Sequence, residues 1–288
     1  MIILLRFALV ISVHLVVAVL LRAGTYGLKG NVEGQPVPVS RQSESAMLVV
    51  GEELEYKVSY SFFHLGKIVI KVIDRQERNG RVIYRAQAII DSAPSLPFVD
   101  LHIRFESEFD SDLYSYMWTA EDSTKKEILV RRLVFDYDSS RVFAEKGKKN
   151  PDGSFAVEHI DTVKITDHCQ DGLSLFYFAR ARFRQQGQMN VPTFIEKEQV
   201  NTFFNFANEQ DEEEVDAIQY PVEVVLFDGR ADFVGVFGLT GGFRGRFSND
   251  SAGVPIVARM NVILGSIKVQ LDRWHRPGWL APKYREGN

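Results

Sequence analysis

Apolar and polar residues alternate with a period of two along most of the chain beyond residue 50. Leu54, Tyr56, Val58 and Tyr60 take one side of a stretch whose other side is Glu55, Lys57 and Ser59. The alternation returns loosely in Ile68–Val72 and again in Val82–Ile90. Successive side chains of a strand point to opposite faces, so this pattern in β-branched and aromatic residues predicts half-buried strands. Similar runs follow at Leu101–Phe109, Tyr114–Ala120, Glu127–Tyr137, Val222–Phe227, Ala231–Phe237, Phe243–Ser248, Val254–Asn261 and Ser266–Asp272. Asn79-Gly80, Asn150-Pro151-Asp152-Gly153 and Asp228-Gly229 read as turns. The pattern predicts a mainly β fold: a curved antiparallel sheet or a partly open β-barrel.

One segment has a helical period. Leu175, Phe176, Ala179 and Phe183 form an apolar face, and Asp171 stands where an N-cap would. Arg180, Arg182 and Arg184 gather at the end where the helix dipole is negative, and Gln185-Gln186-Gly187 stops the run. One α-helix over about 171–186 is expected, plugging or flanking the sheet.

The chain opens with a short basic region, an apolar run Phe7–Leu21 and then Arg22-Ala23-Gly24. That is the layout of a secretory signal. Counted from Ile2, with Arg6 reaching to the interface, it also has the length of a retained anchor. Residues 1–24 are therefore read as signal peptide or membrane anchor helix, with both options open. Residues 25–48 are read as a polar linker, 49–273 as one β-rich domain and 274–288 as a tail with Trp274 and Trp279. The expected location is periplasmic, or inner-membrane anchored with the domain in the periplasm; membrane association would run through an uncleaved N-terminus.

Composition narrows the chemistry. Net charge is −4 and no long Lys/Arg run exists, which argues against a nucleic-acid partner. The single cysteine, Cys169, cannot close an intramolecular disulfide. Its neighbour His168 suggests a nucleophile pair, but adjacent residues in a strand face apart, so Cys169 reads as a small buried hydrophobe. The six histidines are scattered without His-x-x-x-His spacing, so neither a metal site nor a cofactor is expected. The glycines at 235, 238, 241, 242 and 245 lie between strand patterns, which suits a hairpin or bent sheet better than a phosphate loop. Asp211–Glu214 reads as a solvated loop. Glu106/Glu108/Asp110 and Glu52/Glu53/Glu55 read as solvated faces of strands. No catalytic residue is assigned, and a non-enzymatic protein is expected.

The 21 phenylalanines either fill a core or line a cavity for an apolar ligand; alternation alone is compatible with both. A ligand site, if present, is expected where the helix meets the sheet, at Leu175, Phe176, Phe178 and Ala179. Arg180 is there either a partner for an anionic headgroup or a surface charge at the helix end. The leading expectation is a cell-envelope protein that binds an apolar or amphiphilic component such as lipid in a β cavity. The alternatives are an assembly module docking an envelope protein and an envelope hydrolase acting on glycan or lipid.

Gly51-Glu52-Glu53-Leu54-Glu55-Tyr56-Lys57-Val58-Ser59-Tyr60 resembles the opening of the bacterial exported family catalogued as domain of unknown function 3108. Three further stretches are similar to it, in the right order: Arg132–Asp138, Asp171–Arg180, and Phe247-Ser248-Asn249-Asp250 leading to Val254-Pro255 and Gly265–Leu271. The chain departs from the family pattern at Gly172, often Pro, and at Phe247, often Trp. The resemblance implies an envelope β domain wrapped around one helix. It implies no catalytic residues.

Overall fold

The computed structural model describes residues 47–96, 99–234, 239–262 and 265–285. Residues 1–24, expected to be a signal peptide or anchor, and most of the expected linker lie outside this set. Fifteen strands form one antiparallel sheet. The first half is a meander of β1 (Glu53–Tyr60), β2 (Phe63–Arg78), β3 (Arg81–Ser92), β4 (His102–Asp110), β5 (Ser115–Ser123), β6 (Ile128–Asp136), β7 (Arg141–Lys149) and β8 (Phe155–Lys164). Helix α1 (Gly172–Arg182) follows. The second half is β9 (Gly187–Ile195), β10 (Glu198–Phe206), β11 (Gln210–Glu213), β12 (Val222–Val234), β13 (Leu239–Ser248), β14 (Pro255–Val262) and β15 (Ser266–His275). β15 pairs with β1, so the two halves join at the first and last strands, with β8 and β9 as the sheet's ends.

The ends are brought together without a strand ladder between them. Ser115 N donates to Cys169 O at 3.0 Å, Gln170 N to Pro192 O at 2.9 Å and Phe194 N to Gln170 O at 2.8 Å. The residues just before α1 thus stitch β5 to β9. Arg131 meets Glu196 at 2.5 Å, Lys197 pairs with Asp161, and the Phe194 ring stands edge-on to Phe135. Leu133, Phe135, Val142, Ala144, Ile165, Cys169 and Phe194 form a small core at this seam.

The main core contains α1 together with inward residues of β1–β4 and of the second half. Leu173, Tyr177, Phe178, Ala179 and Phe183 are all buried, and Leu175 and Phe176 are packed against them. The helix is therefore enclosed on nearly every side instead of resting on one apolar face. Asp171 caps it as expected: its side chain accepts from Leu173 N and Ser174 N, and the Ser174 hydroxyl accepts from Asp171 N.

Asn79 and Gly80 both have positive φ, 53° and 73°, and form the expected two-residue hairpin turn between β2 and β3. Asp228-Gly229 does not turn. β12 runs straight through it, because the missing side chain makes room for Phe243 on β13; a Cβ at Gly229 would stand 2.4 Å from that ring. Gly241, Gly242 and Gly245 lie within β13, which pairs with β12 and β14; Gly235 and Gly238 lie outside the described residues. Asp211–Glu213 is not a loop either: it lies in the short strand β11 against β12.

Two boundaries also differ. Met47 and Leu48, expected in the linker, are buried in the main core. Trp274 lies within β15 and meets Trp279 edge-on, and residues from Trp279 to Tyr284 dock at the start of β12 through Glu223 N to Pro282 O and Tyr284 N to Pro221 O. Among the described residues no helix is long and apolar enough to cross a membrane.

Candidate functional site

Position 180 lies deep in the main core. The Arg180 side chain is 0% exposed and its partner Glu52, in the loop before β1, is 1% exposed. Nη1 donates to Glu52 Oε1 at 2.6 Å and Nη2 to Oε2 at 3.1 Å. Nε donates to Gly253 O at 3.2 Å and Nη2 also to Ala252 O at 3.1 Å. Arg276 reaches the same carboxylate and donates to Met47 O at 3.2 Å. Burial alone would raise the Glu52 pKa, but the two guanidinium groups hold it below the ordinary carboxylate value. Arg180 is thus neither a surface charge nor a cation open to a headgroup: its fork is filled by one carboxylate and two carbonyls. The reading of Glu52 as part of a solvated face is corrected with it.

The hydroxyls of Tyr56 and Tyr177 are buried beside this ion cluster without hydrogen-bond partners. Desolvation pushes both phenols well up, so both stay neutral.

The other expected site residues pack around the helix and lie outside the cleft described below. Phe178 and Ala179 are buried, Phe178 with its ring 6.1 Å from Phe204. Leu175 and Phe176 are half-buried, and the Phe176 ring lies beneath the Arg180 guanidinium at 5.7 Å. The geometry gathers these five residues into the core around α1, where they hold the fold.

The cap of α1 contains a second buried acid. Ser107 Oγ donates to Asp171 Oδ2 at 2.5 Å and Ser115 Oγ to the same oxygen at 2.7 Å. Burial raises the Asp171 pKa, and the hydrogen bonds oppose that rise. Serines and a carboxylate this close invite a hydrolase reading, but Ser107, Ser115 and Ser174 are completely buried. The nearest imidazole along the chain, His168, is stacked on Tyr137 at 4.2 Å and beside Tyr114 at 4.9 Å. Cys169 is buried and its thiol is pushed up to about 12 by desolvation, which removes the thiolate a nucleophile needs. Of the other acids, Glu106 bonds Gln87, Glu108 pairs with Arg78, and Asp110 accepts from the Asp112 and Tyr114 amides in the β4–β5 turn. Asp110 is mostly buried, unlike the solvated carboxylate expected at that position. No group of three metal-ligating side chains occurs among the described residues.

An accessible hollow lies elsewhere. β9, β10 and β12 enclose a half-open cleft of about 310 Å³ lined by Gln188, Met189, Asn190, Phe203, Phe204, Asn205, Asp228, Gly229 and Arg230. Phe204 is buried in the core, so its neighbours Phe203 and Asn205 alternate to the opposite face. Register places Asn190, Phe203 and Arg230 in one cross-strand row and Gln188, Asn205 and Asp228 in the next row on the same face, with Met189, Phe204 and Gly229 in the row between. The cleft therefore opens away from the core. Arg230 lies over the Phe203 ring at 5.0 Å, and Asn205 donates to Asp228 at 2.9 Å. Asn190 Oδ1 is buried without a partner. One aromatic platform ringed by three amides, a carboxylate and a guanidinium can stack on a flat or apolar ligand face and hydrogen-bond its polar groups. None of these residues was singled out from the sequence as a site.

A family model described as protein of unknown function (DUF3108) matches residues 55–272. No curated protein matches. A solved structure described as a beta-barrel-like protein of domain of unknown function DUF1849 from Brucella abortus superimposes with a TM-score of 0.51. It shares 10% sequence identity, and the alignment covers 79% of this chain and 98% of that one. The similarity supports the curled, barrel-like fold.

Proposed function

The chain belongs to the DUF3108 family of proteins of unknown function, and from that premise we propose a non-enzymatic binding module of the cell envelope. Its ligand is the polar headgroup of an amphiphile, seated in the cleft on β9, β10 and β12. The observation that supports this most is the lining of the cleft: Phe203 under Arg230, with Asn190, Asn205 and Gln188 around them. Its volume of about 310 Å³ suits a headgroup rather than whole acyl chains. The core around α1 is occupied by its own aromatic side chains, so the expected enclosed lipid moves to an exterior seat. The acids Glu52, Asp110 and Asp171 each have protein partners, which gives the hydrolase alternative no opposed pair.

The test uses two detergents with different heads, dodecyl maltoside and dodecylphosphocholine, titrated below their micelle concentrations into the labelled protein. Amide resonances of Asn190, Asn205 and Arg230 are expected to shift saturably with one of them, and Asn205→Ala with Arg230→Ala to abolish the response. Shifts confined to other surfaces, or none, would overturn the assignment.

A protein-docking reading is favoured by one feature. β8 ends the sheet, pairs only with β7, and exposes Val157 and Ile160. Such an edge accepts an added strand. Crosslinking through β8 that Val157→Lys leaves unchanged would remove this reading.

A further inference from the structure

We propose that the end of the sheet carrying the β1–β2 turn docks onto an anionic lipid bilayer. Two independent features meet there. The first is aromatic. Phe62 in the turn is 83% exposed and Phe63 is 40% exposed, with ring centroids 4.2 Å apart. Tyr60 stands beside them and leans on the β14–β15 turn: a Cβ at Gly265 would come within 3.1 Å of the Tyr60 hydroxyl. A single exposed phenylalanine is ordinary, but two rings in tilted contact at a hairpin tip with a tyrosine beside them are the composition of a membrane interface anchor.

The second feature is charge. Arg244 lies directly opposite Arg259, and Arg259 opposite Lys268, on three neighbouring strands. Lys57 lies opposite Lys67 across β1 and β2. Like charges placed opposite one another weaken a sheet. None of these five cations has an ion pair among the described residues. The nearest acids in register are Asp228, opposite Arg244, and Asp91, opposite Lys67; Asp91 is already engaged by His102 at 2.9 Å. The patch is therefore net positive on a chain of net charge −4. Those two acids offset only part of its internal repulsion, and an anionic surface would relieve the rest.

The spacing of the two features fits a bilayer. Lys268 is level with Ser59, three residues before Phe62, so it and Arg259 sit roughly 10 Å behind the aromatic tip at about 3.3 Å per residue. A headgroup layer is roughly 5–8 Å deep on each side of the hydrocarbon. Rings placed at the acyl boundary thus bring these cations within a Debye length, about 8 Å, of lipid phosphates. Neither feature is strong by itself; apolar insertion and electrostatic attraction together make a stable surface contact.

The experiment must read the orientation of the sheet, because an apolar N-terminus would bind vesicles unaided. A polarity-sensitive dye is attached to the full chain through Ser61→Cys, which keeps side-chain size at a residue whose φ is 53°. Cys169 is buried and stays unlabelled. In vesicles of phosphatidylglycerol and phosphatidylethanolamine the dye is expected to shift to the blue and to be quenched by brominated acyl chains. Arg259→Glu with Lys268→Glu, and separately Phe62→Ser, should lower the lipid-inserted fraction about tenfold or more. A dye that reports water on vesicle-bound protein would overturn the proposal. So would an equal response in pure phosphatidylcholine, or an inserted fraction indifferent to the charge reversals.

Discussion

Arg180 of the helix grips Glu52 with both ends of its guanidinium fork across 128 positions of sequence. A buried pair of this kind contributes little over a well-packed apolar replacement, but losing one partner leaves an uncompensated charge in the interior. Glu52→Gln would leave Arg180 and Arg276 side by side without a counter-charge. We expect Glu52→Gln and Arg180→Met each to cost about 3–5 kcal/mol of unfolding free energy. Urea titration checks this, and the double variant should cost less than the sum of the two.

The same cluster sets a pH dependence. The Glu52 carboxyl is held below the 4.5 of the free side chain by Arg180 and Arg276, against the opposing effect of burial. The folded state thus favours its ionised form. Its contribution is complete above pH 4.5 and is lost as pH falls through the lower folded value. Asp171 works the other way, since burial raises it above 3.8. Thermal melts over acidic pH should therefore show the wild type losing more stability on acidification than Glu52→Gln does.

Glycine on this sheet serves aromatic rings. A Cβ at Gly245 would stand 2.4 Å from the Phe227 ring and 3.2 Å from Val257 O. Gly245→Ala is expected to cost about 1–3 kcal/mol through overpacking. Adding Phe227→Leu should recover part of that loss, because the smaller side chain yields the space. Strict additivity in denaturation experiments would rule out ring contact as the cause.

Cys169 offers a check on the seam between β5 and β9. Its thiol is pushed up to about 12, so at pH 8 only about one molecule in 10⁴ carries a thiolate. Maleimide labelling of the native protein is expected to be slow and to become rapid in denaturant. Fast native labelling would show that the stitch from Ser115 N to Cys169 O opens readily.

Much of the fold was legible because one-sided strands write their burial into alternate positions. Leu54, Tyr56 and Val58 are buried as that alternation requires. Asn79-Gly80 and Asp171 were readable for a related reason: each satisfies a local backbone need that few other residues meet as well. β7 and β8 escaped notice, since β8 is exposed along most of its length and so carries little alternation. β10 carried a usable signal in Thr202, Phe204 and Phe206, all buried, but adjacent Phe203 obscured its period. The chemistry around the helix was least legible. Nothing near residue 180 announces that Glu52 will neutralise it, and nothing in Asp228-Gly229 announces that a ring from β13 will occupy the gap. The cleft was hidden likewise, since only strand pairing brings residues 188–190, 203–205 and 228–230 together.

The pairing of β1 with β15 has a consequence for how the chain is made. Glu53 sits opposite His275, so the centre of the sheet joins its first and last strands. Each half can zip along its own hairpins as it emerges, because those contacts are local. The halves cannot lock until the ribosome has released residue 275, and loop closure over that span is slow. Until then β1 presents an unpaired edge, which makes the interval before completion the time when a holding chaperone matters most.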